Sequence, residues 1–365
     1  MSRRRKIQFS QLFAICIAWT IVALCIQTYD YFLLHSTEVL VFAKDYSYVA
    51  GVLFNVMGAL IGALLAGSLF VFYLNVRFKD KPYGYSIFLN CIVYVVIMSI
   101  IILLIGFMWV PHSTGINISD PEFKQAYWKY LVDPYHLKDI LVWSIVTAIT
   151  QFVLLMNTKF GHGILWDIIR GKYHLPKEEM RIFMFADLNS STTIAEKLGN
   201  ERYHELLQDF FSDVTNPIID NKGDIYQYIG DEVVVAWKYE DGIAGSRCIR
   251  CFFDMKLQIE KKGKHYLDKF GLVPGFKAGI HFGKVIAGEV GIIKRDITFS
   301  GDVLNTTSRI GSKCKDFNVD VIASDDLLSQ LSFGDQFISK HLGNIKLRGK
   351  EREMGLSALF ARVSV

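Results

Sequence analysis

Asp187 and Asp231 stand where two carboxylates could hold a hard divalent cation. Asp187 ends Phe183-Met184-Phe185-Ala186-Asp187, an apolar run that reads as a buried strand. Asp231 lies in Tyr228-Ile229-Gly230-Asp231-Glu232, which reads as the tip of a tight hairpin. On neighbouring strands the two carboxylates can converge, and paired carboxylates without Cys or His are ligands that Mg²⁺ and Mn²⁺ prefer. After Asp187 the chain continues Leu188-Asn189-Ser190-Ser191-Thr192 into a helix, and backbone N–H groups at such a helix start suit phosphate. Further on, Asn305 and Arg309 are spaced to share one helix face, and Arg348 and Lys350 flank Gly349. Each residue alone has a plainer explanation: a capping Asp, a solvated Arg, a basic hairpin. The cysteines carry less. Cys248 and Cys251 form a lone C-x-x-C in a helical pattern, with no second pair to complete a zinc site.

The elements that would position these residues follow from periodicity and turn chemistry. A strand is expected over Arg181–Leu188, then a helix capped by Asn189 and Ser190 and running from about Ser191 to Ile219. Gly223-Asp224 opens a hairpin whose arms are Ile225–Tyr228 and Val233–Trp237. A helix near Ile243–Gly263 precedes a second hairpin, Phe276–His281 and Val285–Glu289, turning at Gly283-Lys284. Strand, helix, hairpin, helix, strand is the split βαβ order.

The stretches around Asp187, around Asp231, and Ser300-Gly301-Asp302-Val303-Leu304-Asn305-Thr306-Thr307-Ser308-Arg309 resemble, in order and spacing, the catalytic domain of class III nucleotidyl cyclases. Those enzymes form a 3′,5′-cyclic nucleotide from a nucleoside triphosphate. The resemblance covers about Arg181 to Phe360 and implies a ferredoxin-like α+β domain. It also implies two Mg²⁺ or Mn²⁺ ions per site on Asp187, Asp231 and the Leu188 carbonyl. Asn305 would orient the ribose and Arg309 would neutralise the α-phosphate. Arg348, where the family usually has Lys, and Lys350 would grip the β- and γ-phosphates, beside the turn Asn189, Ser190, Ser191 and Thr192. Gln227 and Thr298 occupy the base-reading positions. Thr298 fits an adenylyl subgroup, but Gln227 replaces the usual Lys, and its amide can donate to adenine N1 or accept from guanine N1–H. ATP is favoured over GTP. The family builds its site from two chains, so a homodimer is expected, with Gly291–Asp296 as an arm across the interface.

Two other readings compete. A diguanylate cyclase shares the Gly-Asp-Glu tip but needs Gly and Phe where Ile229 and Val233 stand. An inactive nucleotide-binding module would have lost a metal Asp or the Arg, and all three are present.

The N-terminal half is of another kind. The chain has 365 residues, 51% of them hydrophobic, and no charged residue occurs over 46–76, 82–119 or 140–158. With a fourth apolar run, about Phe9–Tyr29, these read as four helices of roughly the ~20 residues that cross a bilayer. The fold expected is therefore a four-helix transmembrane domain over 1–160, a short amphipathic junction over 161–180, and the α+β catalytic domain over 181–365. Arg3, Arg4, Arg5 and Lys6 before the first run, and Arg77, Lys79 and Lys81 after the second, place both termini and the catalytic domain in the cytoplasm. The expected location is the cytoplasmic (inner) membrane, with the lipid bilayer as partner. In the second run Gly58, Gly62 and Ala66 form a small-residue face, for packing within the bundle sooner than for a dimer seam. No ionisable residue lies at depth, which disfavours a transporter. Residues 1–160 hold 12 of the 40 Lys and Arg and 8 of the 36 Asp and Glu, leaving 28 of each for the rest. The C-terminal half is neutral overall, which excludes a basic nucleic-acid-binding domain.

Overall fold

The computed structural model describes residues 3–34, 48–78, 81–160, 167–168, 170–293, 295–332 and 336–362. Part of the amphipathic junction, including Ile164, Leu165 and Ile169, lies outside them, as do Lys79 in the second connection and Lys294 in the expected arm. The chain divides into two compact units, in the main Arg5–His162 and Gly163–Val365.

The first unit is helical. Helix α1 spans Arg3–Leu34 and α2 begins at Tyr48–Gly62. Helix α2 continues as π-helix through Ala63–Gly67 and Leu69–Leu74, closing at Asn75–Arg77. Then come α3 (Tyr83–Thr114), α4 (Phe123–Leu131) and α5 (Pro134–Phe160). Among the described residues four helices are long and apolar enough to span a membrane. Trp19 organises their packing: its ring meets Tyr94 at 5.7 Å and Trp143 at 5.4 Å, and its indole N–H donates to Thr150 Oγ1 at 3.0 Å. The small-residue face of α2 is used there. Gly62 lies against the Trp19 ring and Ala66 is buried, whereas Gly58 faces open space. At depth, Asn55 donates to Gln27 across helices, the kind of side-chain bond that joins helices in hydrocarbon.

The second unit is an α+β domain built on one sheet, in the order β2-β3-β1-β4-β6-β8-β7 with β5 on β4. The strands are β1 (Lys177–Leu188), β2 (Asp224–Ile229), β3 (Glu232–Lys238), β4 (Phe276–Val290), β5 (Asp296–Ser300), β6 (Val321–Ser324), β7 (Phe337–Ile345) and β8 (Met354–Ala361). The helices are α6 (Ser191–Leu198), α7 (Asn200–Asp220), α8 (Tyr239–Ile243), α9 (Arg247–Lys261), α10 (Gly263–Phe270), α11 (Asp302–Ser312), α12 (Cys314–Phe317) and α13 (Asp325–Leu328). The first four strands and their helices follow the split βαβ order. Strand β1 is buried on both faces. Ile182, Met184 and Ala186 pack with Leu206, Phe210 and Phe252 of α7 and α9. The alternate residues Phe183 and Phe185 pack with Val234, Val285 and Val303 on the other face.

Three local expectations are corrected. The helix expected to run from Ser191 to Ile219 breaks at Gly199, whose φ of +74° is left-handed and available to glycine at no steric cost. Ser190 stands at the start of α6, but neither it nor Asn189 caps the helix with its side chain. The hairpin expected at Gly283-Lys284 does not exist: β4 is one strand of 15 residues, paired with β1 from Lys177↔Ala287 to Leu188↔Phe276. Gly283 is needed there for space, since a Cβ would come within 2.6 Å of Val303 on α11. The reversal falls instead between β4 and β5.

Helix α11 is seated against the sheet by backbone contact. A Cβ on Gly279 would lie 2.3 Å from the Gly311 nitrogen and 2.5 Å from the Thr307 carbonyl oxygen. Backbone cannot swing aside as a side chain does, so Gly279→Ala should destabilise the domain by about 3 kcal/mol. Thermal melting of the purified chain checks this, and an unchanged melting temperature would show that α11 is not seated so closely.

Candidate active site

The turn between β2 and β3 has only Gly230 and Asp231 between the paired residues Ile229 and Glu232. Such two-residue loops favour glycine at positive φ, and Gly230 has φ +63°. Because β3 pairs with β1 as Asp187↔Glu232, this tip stands beside the end of β1. Sequence proximity could not bring these carboxylates together; the β1–β3 register does.

The electrostatics there suit a cation. Burial and then the adjoining Asp231 carboxyl push Asp187 above the usual carboxylate range, against the pull of Lys277. Glu232 is pushed up to about 7, by burial first and then by Asp187 and Asp231. Asp231 Oδ2 is buried without a hydrogen-bond partner. Crowded carboxylates and an orphaned buried oxygen are costly unless positive charge arrives. Among the described residues no three His, Cys, Asp or Glu side chains form a metal cage. Mg²⁺ does not need one, since it is commonly bound by one or two carboxylates together with water and substrate phosphates. The donors present, Asp187, Asp231 and the neighbouring Leu188 carbonyl, fit such an ion.

Two residues at this place escaped the sequence reading. Lys277 pairs with Asp187 across β1 and β4, and its Nζ lies 3.2 Å from Asp187 Oδ2. Tyr203 on α7 has its phenol pushed up by burial first, then by Asp231. Neither stands in a motif; only the register of β4 and the packing of α7 bring them in. The turn residues Asn189, Ser190, Ser191 and Thr192 follow directly, with the Asn189 N–H held by the Gly275 carbonyl at 2.9 Å.

Asn305 and Arg309 belong to a second group. Asn305 is exposed on α11, and the Arg309 guanidinium lies over Gly349, where a Cβ would come within 3.4 Å of its nitrogens. Lys350 pairs with Asp302 at the start of α11, and that pair holds the Asp302 carboxyl below its usual range. Arg309, Arg348 and Lys350 are thus gathered by the turn between β7 and β8. Among the described residues no hydrogen bond or ion pair joins this group to the Asp187–Asp231 pair.

Gln227 and Thr298 each follow or precede in sequence a residue of one contacting pair, Tyr226 and Phe299. A bulge at Tyr226 pairs Gln227 with Val234, on the same face as Phe183. The Tyr226 ring lies tilted 5.0 Å from the Phe299 ring, and its hydroxyl accepts the Phe299 N–H at 3.2 Å, so β2 holds β5 at the residue after Thr298.

Nearby, His281 is 8% exposed, with Nδ1 2.7 Å from Ser324 Oγ, and burial lowers it to about 4. The unfolded chain takes up this proton below pH 6.5, whereas the folded domain refuses it until about pH 4. Stability is therefore lost as pH falls through that window, by about 2 kcal/mol between pH 7 and pH 5. Denaturant melts of the parent and His281→Gln at both pH values should show that part of the loss only in the parent. Equal losses would remove His281 from the acid response.

Adjoining strands thus bring two carboxylates beside a helix-opening turn, with Arg309 on a helix of the same domain, an arrangement suited to a divalent cation and a phosphate. Residues 174–357 match the family model described as "Adenylate and Guanylate cyclase catalytic domain", and the chain belongs to that family. It is 34% identical over 224 residues to "Adenylate cyclase 2" of Rhizobium meliloti (strain 1021), covering 61% of this chain and 62% of that protein. It is 27% identical over 178 residues to "Adenylate cyclase 1" of the same organism, covering 47% and 26%. The chain thus spans 62% or less of the length of these curated relatives. A bacterial light-regulated adenylyl cyclase shares the fold with TM-score 0.52 and 21% identity, over 60% of this chain and 63% of that one.

Proposed function

We propose that this chain is a membrane-bound adenylate cyclase, converting ATP to 3′,5′-cyclic AMP and pyrophosphate in sites shared between two chains. The observation that carries the proposal is the convergence of Asp187 and Asp231 at the end of β1, with an unpartnered Asp231 oxygen. In this division of labour residues 1–160 anchor the protein, 161–180 connect, and 181–365 catalyse. The apolar helices support residence in the cytoplasmic (inner) membrane, with both termini and the catalytic domain on the cytoplasmic side.

Asp187, Asp231 and the Leu188 carbonyl would hold two Mg²⁺ or Mn²⁺ ions. Bound there, such ions acidify the ribose 3′-OH and offset charge on the departing pyrophosphate. The protein's own residues do the rest. The 3′-oxygen forms its bond to the α-phosphorus as the bond from that phosphorus to the β-phosphate oxygen breaks. Lys277 places a cation beside Asp187, within reach of the triphosphate, and the backbone N–H groups at the start of α6 add donors. Arg309 meets the charge that grows on the α-phosphate, the kind of contact worth ~3 kcal/mol in a transition state. Asn305 orients the ribose, Arg348 and Lys350 hold the β- and γ-phosphates, and Gln227 with Thr298 reads the base.

No hydrogen bond or ion pair joins the two groups among the described residues, and a homodimer accounts for this, since each site then draws its carboxylates from one chain and its Arg from the other. The loop between β4 and β5 supports it too: Ile292 and Ile293 are 91% and 103% exposed, an apolar tip suited to a partner. Incubating membranes that carry the chain with ATP or GTP and Mn²⁺, then identifying the cyclic product, tests the proposal. Cyclic AMP is expected as the main product. Cyclic GMP in its place would make the chain a guanylate cyclase, and no cyclic product would leave a nucleotide-binding module.

A further inference from the structure

Arg181 is an unusual residue to find in a sheet interior. It is 4% exposed, and a buried guanidinium is costly unless its charge and donors are met. Glu179, on the same face of β1, meets the charge: Nε and Nη2 donate to Glu179 Oε2 at 2.9 and 2.6 Å. Neutrality needs no more than that pair, yet the guanidinium makes two further contacts. Nη2 approaches the Tyr173 hydroxyl at 3.3 Å, and the central guanidinium carbon lies over the Phe299 ring, 5.0 Å from its centre. One fixed fork therefore joins three segments: β1, residues 170–176 leading into it, and β5.

Strand β5 has need of such a hold. Among the described residues it pairs with β4 alone, through five residues from Asp296 to Ser300. Phe299 adds a hold beyond that ladder by touching Arg181, Phe183 and Tyr226. The leading segment also grips the far side of the ladder. Tyr173, buried, accepts the Glu289 N–H at its carbonyl at 3.2 Å, and Pro176 lies against Gly288. Gly288 is the residue paired with Thr298, and Phe299 follows Thr298 in sequence. Both neighbours of Thr298 thus touch Arg181 or the segment that Arg181 binds.

We propose that Arg181 is a positioning residue: it ties residues 170–176 to β5 so that the segment entering the catalytic domain sets the place of Thr298, and with it recognition of the nucleotide base. This rests on the cyclase reading and on Thr298 contacting the base. A shift of the entering segment then alters which nucleotide is held and how tightly, while the Asp187–Asp231 chemistry, at the opposite end of β1, is left in place.

The test uses the full-length chain in membranes, with the parent, Arg181→Lys, Arg181→Met and Tyr173→Phe assayed for kcat and KM with ATP and with GTP, alongside thermal melting. Lysine keeps the charge beside Glu179 but cannot also reach Tyr173 and stack on Phe299. In Arg181→Lys, KM for ATP should therefore rise ~5-fold and the preference for ATP over GTP weaken by a similar factor, with kcat within ~2-fold. Tyr173→Phe should shift KM and preference in the same direction by less, at the parent's melting temperature. Arg181→Met, which strands Glu179, should melt lower than Arg181→Lys. Parental KM and preference in both Arg181→Lys and Tyr173→Phe would overturn the proposal, as would a fall in kcat alone. If Arg181→Lys does not fold, unchanged parameters in Tyr173→Phe overturn it by themselves. A parent without cyclase activity strikes at the proposed function instead, so the two failures are distinct.

Discussion

Asp187→Asn and Asp231→Asn should each lower cyclase turnover on the order of 10³-fold or more, because each removes a ligand of ions that supply several kcal/mol of transition-state stabilisation. Neither change should unfold the domain. The Asp187 side chain is 33% exposed, and burial together with the adjoining Asp231 raises its pKa, so its charge destabilises the folded state at neutral pH. An amide of the same shape relieves that repulsion, and the variants should melt at or above the parent's temperature, the usual trade between activity and stability at such sites. Melting also gives a readout independent of turnover. Mn²⁺ should raise the melting temperature of the parent, as any ligand of the native state does, and should raise that of the variants much less. Near-parental turnover in either variant, or an undiminished Mn²⁺ effect in both, would remove these carboxylates as metal ligands.

Mixing Asp187→Asn chains with Arg309→Ala chains should restore activity that neither has alone. Asp187 stands at the end of β1, while Arg309 lies over Gly349 at the turn between β7 and β8, and no polar contact joins the two groups among the described residues. In a two-fold dimer each site takes carboxylates from one chain and Arg from the other. A mixed dimer then places both lesions in one site and neither in the second. The expected rate is about half the parental rate per mixed dimer, or about a quarter for the whole sample if chains pair at random. Co-expression with two affinity tags isolates the mixed dimer. An inactive mixed dimer of verified composition would show that one chain builds its own site.

What could be read from the sequence alone is local in origin. Hydropathy marks four helices because a span must be apolar for about 20 consecutive residues, a property of one segment at a time. The strand ending at Asp187, the Gly230-Asp231 tip and the helix that carries Asn305 and Arg309 were legible for the same reason: their signals lie within a few residues. The second hairpin was misread because Gly283-Lys284 is a good turn by composition. Pairing with β1 from Phe276 through Ala287 keeps that stretch extended. Lys277 and Tyr203 were invisible as site residues, since nothing adjacent to them in sequence differs from an ordinary strand or helix. They gain meaning from the β1–β4 register and from α7 packing beside the hairpin tip. Arg181 is the sharpest case. In sequence it only opens an apolar strand, whereas in the fold it is a buried cation between Glu179, Tyr173 and Phe299. Local propensity is written residue by residue, but partners more than a hundred positions apart are chosen by register and packing, which form only when the whole sheet does.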